Sequence, residues 1–181
     1  MLATRLLVQQ HDELRALFAR HEGAAPNRKI DVFDEVARRL LAHMLIEQRY
    51  FYPAVVAAAV DDVHEGYEEH HLARHQIDRI VECAVSDETY EIKSRVLYEM
   101  ITHHVEEEQV NVFPAVESAI DSAELEILGE LMKTDFDRIV AFSIGRLMTA
   151  AGRIELLADV GAFAAPRVKS GGRGSATARP C

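Results

Sequence analysis

The apolar positions of this chain recur with the period of an α-helix in five successive stretches. From about Thr4 to His21, Leu7, His11, Leu14 and Phe18 follow at spacings of four, three and four, one buried stripe with a histidine set into it. Gly23, Pro26 and Asn27 break that stretch. A second helix is expected from about Ile30 or Asp31, with Phe33, Val36, Leu40, His43, Glu47 and Tyr50 on one face. Pro53 should kink or end it, and residues 54–60 should continue past the kink. The third pattern runs from Asp62 to about Val85. The fourth runs from about Glu88 to Ile120, with Leu97, Met100 or Ile101, His104, Glu108 and Val112 on one face. Asp121, Ser122 and Glu124 form a helix-start signal for a fifth, whose apolar face is Leu125, Leu128, Met132, Phe136, Ile139, Val140 and Leu147. Long amphipathic helices with short connections predict an all-α fold, an up-down-up-down four-helix bundle with the fifth helix added for packing. After about Val160 the composition shifts to Gly, Ser, Ala, Arg and Pro, so the expected organisation is one helical domain over 1–160 and a disordered basic tail over 161–181.

The polar residues that interrupt these stripes carry the chemistry. Residues 43–53 read His-Met-Leu-Ile-Glu-Gln-Arg-Tyr-Phe-Tyr-Pro and residues 104–114 read His-Val-Glu-Glu-Glu-Gln-Val-Asn-Val-Phe-Pro. Both are His-x-x-x-Glu-Gln with a proline six residues after the glutamate. An imidazole and a carboxylate four apart lie on one helix face, about 6 Å apart at Cβ, which suits two ligands of one metal centre. Burying them without partners would cost several kcal/mol, a cost that a cation removes.

In the third helix, spacing alone misleads, because His71 and His75 are also four apart. Taking Ile77 as the core direction at about 100° per residue, His70 lies about 20° from it, His71 about 120° and His75 about 160°. His70 therefore faces inward, and His71 and His75 face solvent. The same rotation selects His104 over His103, and it puts Tyr67 about 80° from the core direction, a candidate to aim its phenol at the same site. Each helix then brings its polar residues to one level: His11, His43 with Glu47, His70, and His104 with Glu108. Four imidazoles and two carboxylates suit two ions bridged by Glu47 and Glu108, with iron, manganese and zinc all open on ligand type.

Composition narrows the setting. At 181 residues and 49% apolar the chain can bury one good core. Its net charge is −10, and since residues 161–181 hold four basic residues and no acid, the body carries −14. That excludes nucleic acid and anionic membrane as natural partners of the folded part. The N-terminus turns polar too early for a secretory signal and no apolar run reaches the roughly 18 residues of a membrane span, so a cytoplasmic protein is expected, as a monomer. Cys83 and Cys181 do not make a disulfide framework.

Together, His11, the two His-x-x-x-Glu pairs with their prolines, and Glu69-His70-His71 resemble the hemerythrin-like, or HHE, proteins over roughly residues 8–118. The resemblance implies a non-haem site of two iron ions with a μ-oxo or hydroxo bridge. His11 and His43 would hold one iron and His70 and His104 the other, with Glu47 and Glu108 bridging. Oxygen-carrying hemerythrins have a fifth histidine one turn before the position of His70, where this chain has Gly66. The resemblance leaves that place to Tyr67, Glu69 or water. With its fifth helix the chain looks more like the actinobacterial hemerythrin-like proteins, which implies catalase-like disproportionation of hydrogen peroxide. The alternative it implies is a module that binds or senses dioxygen, nitric oxide or iron without turnover.

Overall fold

The structure, a computed structural model, describes residues 1–148. The expected domain boundary at 160, the tail over 161–181 and Cys181 lie outside the described residues. Among the described residues the helices are α1 (Ala3–Glu22), α2 (Pro26–Ile46), α3 (Tyr52–Val55), α4 (Val60–Val81), α5 (Tyr90–Glu107), α6 (Phe113–Ala119), α7 (Ser122–Ile139) and α8 (Ile144–Met148). Two π-helical turns, Glu47–Phe51 and Glu108–Val112, join α2 to α3 and α5 to α6.

The four long helices α1, α2, α4 and α5 form the up-down-up-down bundle, with α1 against α2 and α4 against α5. Their stripes meet in one core that includes Leu7, Leu14, Leu40, Leu41, Ile77, Ile80 and Leu97, each nearly free of solvent contact. Each such side chain contributes about 1.5–3 kcal/mol by leaving water. Helix α7 lies across α1, α2 and the first π turn. Gly129 makes its approach to the N-terminus close, since a Cβ there would collide with the Met1 carbonyl. The buried carboxylate of Asp135 on α7 accepts from Tyr50 Oη and Arg49 Nη1, both at 3.1 Å, and so fastens the first π turn to α7.

Several boundaries differ from expectation. Pro26 opens α2 rather than belonging to the break, because the first helical position needs no amide hydrogen and proline's fixed φ suits it. After Pro53, helix continues only to Val55, and a turn precedes α4. The fifth helix stops at Ile139. Leu147, expected on its face, is buried from the separate α8. No helix among the described residues is long and apolar enough to cross a membrane.

At the end of the bundle formed by the close of α1 and the starts of α2 and α5, His21 is fully buried among Phe33, Tyr90 and Tyr98, its Nε2 3.1 Å from Tyr90 Oη. Burial, then the Lys29 ammonium, lower its pKa to about 4, so it is a neutral core histidine.

Candidate metal centre

The repeated phrase becomes a repeated backbone device. In an unbroken α-helix each proline's ring would clash with the carbonyl four residues back. Here the helix widens one turn early: the Tyr52 amide bonds the Glu47 carbonyl and the Phe113 amide bonds the Glu108 carbonyl, each five residues back. Each π turn begins at the glutamate, so each carboxylate keeps the register of the histidine four residues before it, while everything after it is rotated.

The two phrases and the two single histidines converge. His11, His43, Glu47 and Glu108 place ligand atoms within 4.8 Å of one another, and so do Glu47, His70 and His104. Nε2 atoms of His11 and His43 are 3.1 Å apart, as are those of His70 and His104. Glu47 Oε2 lies 3.3 Å from His43 Nε2 and 3.4 Å from His70 Nε2, between the two pairs. Glu108 mirrors it, with Oε2 3.4 Å from His11 Nε2 and Oε1 3.9 Å from His104 Nε2. All six residues are buried, and neither oxygen of Glu47 nor Oε2 of Glu108 takes a hydrogen bond. Imidazole nitrogens at 3.1 Å and bare carboxylate oxygens in a dry core are costly for the chain alone, and a metal ion removes that cost. The clusters fit binding of a metal.

Outer partners turn the rings so that Nε2 faces in. His43 Nδ1 is 2.8 Å from Gln10 Oε1, His104 Nδ1 is 2.6 Å from Glu69 Oε2, and His11 Nδ1 is 3.0 Å from the Gln109 side-chain amide. The electrostatics follow the geometry. Burial, then the neighbouring imidazoles, hold His43 and His70 well below the ordinary histidine range. For His104, burial also lowers the pKa, but the Glu108 and Glu69 carboxylates outweigh it and the net shift is upward. Burial and the Glu108 charge push Glu47 well above the carboxylate range. Glu108 goes down, because the surrounding imidazoles overcome its burial.

Comparison with known proteins agrees with this constellation. Residues 2–132 match the family model of the Hemerythrin HHE cation binding domain. The chain belongs to this family. The HHE fold is also shared with a solved structure, the Hemerythrin HHE cation binding domain-containing protein of Mycobacterium kansasii described as an Rv2633c homolog, at 26% identity and a TM-score of 0.73, covering 87% of this chain and 99% of that one. No curated protein matches the chain.

Within the HHE domain, the structure brings His11, His43, Glu47, His70, His104 and Glu108 together and leaves His71, His75 and His103 exposed. Tyr67 is not in the cluster: its hydroxyl donates to the Gln48 carbonyl at 3.3 Å. Glu69 serves the back of His104, away from the Nε2 atoms. The phenol that does reach the cluster is Tyr52. Its hydroxyl donates to Glu108 Oε1 at 3.0 Å and lies 3.3 Å from His70 Nε2, its ring stacked on that imidazole. Helical periodicity hides it, since in an unbroken helix Tyr52 stands about 140° from Glu47. The π turn sets it roughly one turn above that glutamate, while Tyr50, expected inside, turns to Asp135. The proline six residues after each glutamate was the one signal for this rotation.

Proposed function

We propose that this HHE domain holds two iron ions and decomposes hydrogen peroxide, two molecules giving two waters and one dioxygen. His11 and His43 would hold one ion and His70 and His104 the other, with Glu47 and Glu108 shared. The observation that carries the reading is the pair of buried carboxylates, three of whose four oxygens take no hydrogen bond, set between two imidazole pairs. Bound there, a redox-active metal pair supplies the two electrons that one peroxide takes up and a second returns.

The chain's own residues restrict and serve that exchange. His11, Glu47 and His70 are 0% exposed and His43 is 1% exposed, so only a molecule of a few atoms reaches the Nε2 atoms. Tyr52 Oη carries a proton directed at Glu108 Oε1 beside His70, a donor where peroxide reduction consumes protons. Glu47, with its raised pKa, is the carboxyl of the pair better able to hold a proton in the dry site. Gln10 and Glu69 keep the imidazoles turned inward through the cycle. The acidic body of the chain and the lack of a membrane-length helix among the described residues suit a cytoplasmic protein acting on small molecules rather than on nucleic acid.

Oxygen release from the iron-loaded protein on addition of peroxide tests the reading. Release should scale with iron content and vanish in Glu47→Ala and Glu108→Ala; release no greater than that of free iron would sink it. Full burial also favours a second reading, reversible binding of dioxygen or nitric oxide. A reversible spectral change when the reduced protein meets air would select that reading over turnover.

A further inference from the structure

One half of the buried centre has a second set of ligand-type side chains behind it. In a helix the residue before a ligand is turned away from it by about 100°. Immediately before His70, His104 and Glu108 stand Glu69, His103 and Glu107, so one step back along the chain repeats an imidazole and two carboxylates on an outer face. The ligand atoms of these three residues lie within 4.8 Å of one another. His103 Nε2 is 3.4 Å from Glu107 Oε1, the same His-x-x-x-Glu spacing as in the buried pairs. The other half has nothing comparable: Ala42 and Ile46, both fully buried, precede His43 and Glu47, and Gln10 precedes His11.

The outer set is open where the inner one is closed. The side chains of His103, Glu107 and Glu69 are 66%, 36% and 23% exposed, so an ion from solvent reaches them without opening the core. Two ligands about 2.1 Å from one ion are at most about 4.2 Å apart. The His103 and Glu107 pair already meets that limit, and a small turn of these exposed side chains brings in Glu69. An imidazole with two carboxylates suits a divalent first-row ion. Held by three groups, with water completing its shell, such an ion is lost on desalting, while six buried groups keep theirs. Glu69 joins the two sets, because its Oε2 lies 2.6 Å from Nδ1 of His104, the ring whose Nε2 faces the centre.

We propose that Glu69, His103 and Glu107 form an outer site for a divalent cation, the station from which an ion passes by way of His104 into the buried centre. The passage rests on the metal reading above; the outer site does not. An ion that draws the Glu69 carboxylate loosens its hold on His104 Nδ1 and frees that ring to turn toward the ion.

Manganese(II) is the probe for the site. In a titration of iron-loaded, desalted protein, with free Mn(II) counted by electron paramagnetic resonance, wild type should bind about one ion per chain more than the His103→Ala/Glu107→Ala double variant. Both replaced side chains lie outside the core, and circular dichroism checks that the variant is folded. Equal binding by the two proteins overturns the outer site. The passage is tested by adding ferrous iron to metal-free protein and measuring protein-bound iron after rapid desalting at successive times. The double variant should reach the wild-type content several-fold more slowly; equal rates overturn the passage. If neither protein takes iron into the buried centre while wild type still binds its extra Mn(II), the metal reading of the centre and the passage both fall, and the outer site stands.

Discussion

His11 sits beneath the phenyl ring of Phe113, and His70 beneath the phenol of Tyr52. Those two rings occupy matched positions of the repeated phrase, each the first residue after a π turn that starts at a glutamate. Behind the histidines the pairing continues: Gln10 accepts from His43 at the position where Glu69 accepts from His104. One backbone design has been used twice, and at matched positions the second half receives the more acidic and more oxygen-rich side chains. The difference teaches that in this fold the π turns set where ligands go, while a few residues around them set how alike the two halves are.

Removing metal from both halves should have the largest effect. Two buried carboxylates and four imidazoles lose their partner, so chelation should lower the melting temperature by on the order of 10 °C, read by circular dichroism. An unchanged melting curve would mean the core is content without an ion. Next in size, His11→Ala and His70→Ala should each leave about one ion per chain in elemental analysis, because each histidine serves one half. Loss of both ions from either variant would show that the halves are not separable. A smaller change is expected from Glu69→Gln, which gives the second half the neutral partner of the first. Its affinity should fall roughly tenfold at one of the two ions in a metal titration.

The least expected change is in protonation. In the metal-free protein His43 and His104 have opposite pH dependence. His43, held below the histidine range, contributes stability that is complete above about pH 6.5 and is lost as pH falls through its folded pKa. His104, held above that range, contributes stability that is complete below about pH 6.5 and is lost as pH rises through its folded pKa. Imidazole resonances followed by NMR should show His104 charged at a pH where His43 is neutral, and Glu69→Gln should pull His104 down. His21, at about 4, adds to the acid-side loss whether or not metal is present.

Much of this was legible in the chain. Stripe spacing located the four bundle helices, and rotation about the α4 axis separated His70 from His71 and His75, which the structure leaves exposed. Both steps depend on an unbroken period near 3.6 residues. Where the helix widens at Glu47 the period fails, and there the reading went to Tyr67 and Tyr50 when the phenol beside the cluster belongs to Tyr52. A π turn is a tertiary compromise among a proline, a buried carboxylate and its neighbours, and residue spacing alone does not register it. The role of Gly66 was hidden for a related reason: a Cβ there would come within 2.6 Å of Tyr52 Oη, which matters only once α3 is placed against α4.

Metal content per chain, measured on purified protein beside a Glu47→Ala/Glu108→Ala double variant, tests the account most directly. Two ions in the wild type and none in the folded double variant are predicted. A wild type that holds no metal after loading, or a double variant that keeps both ions, would contradict it.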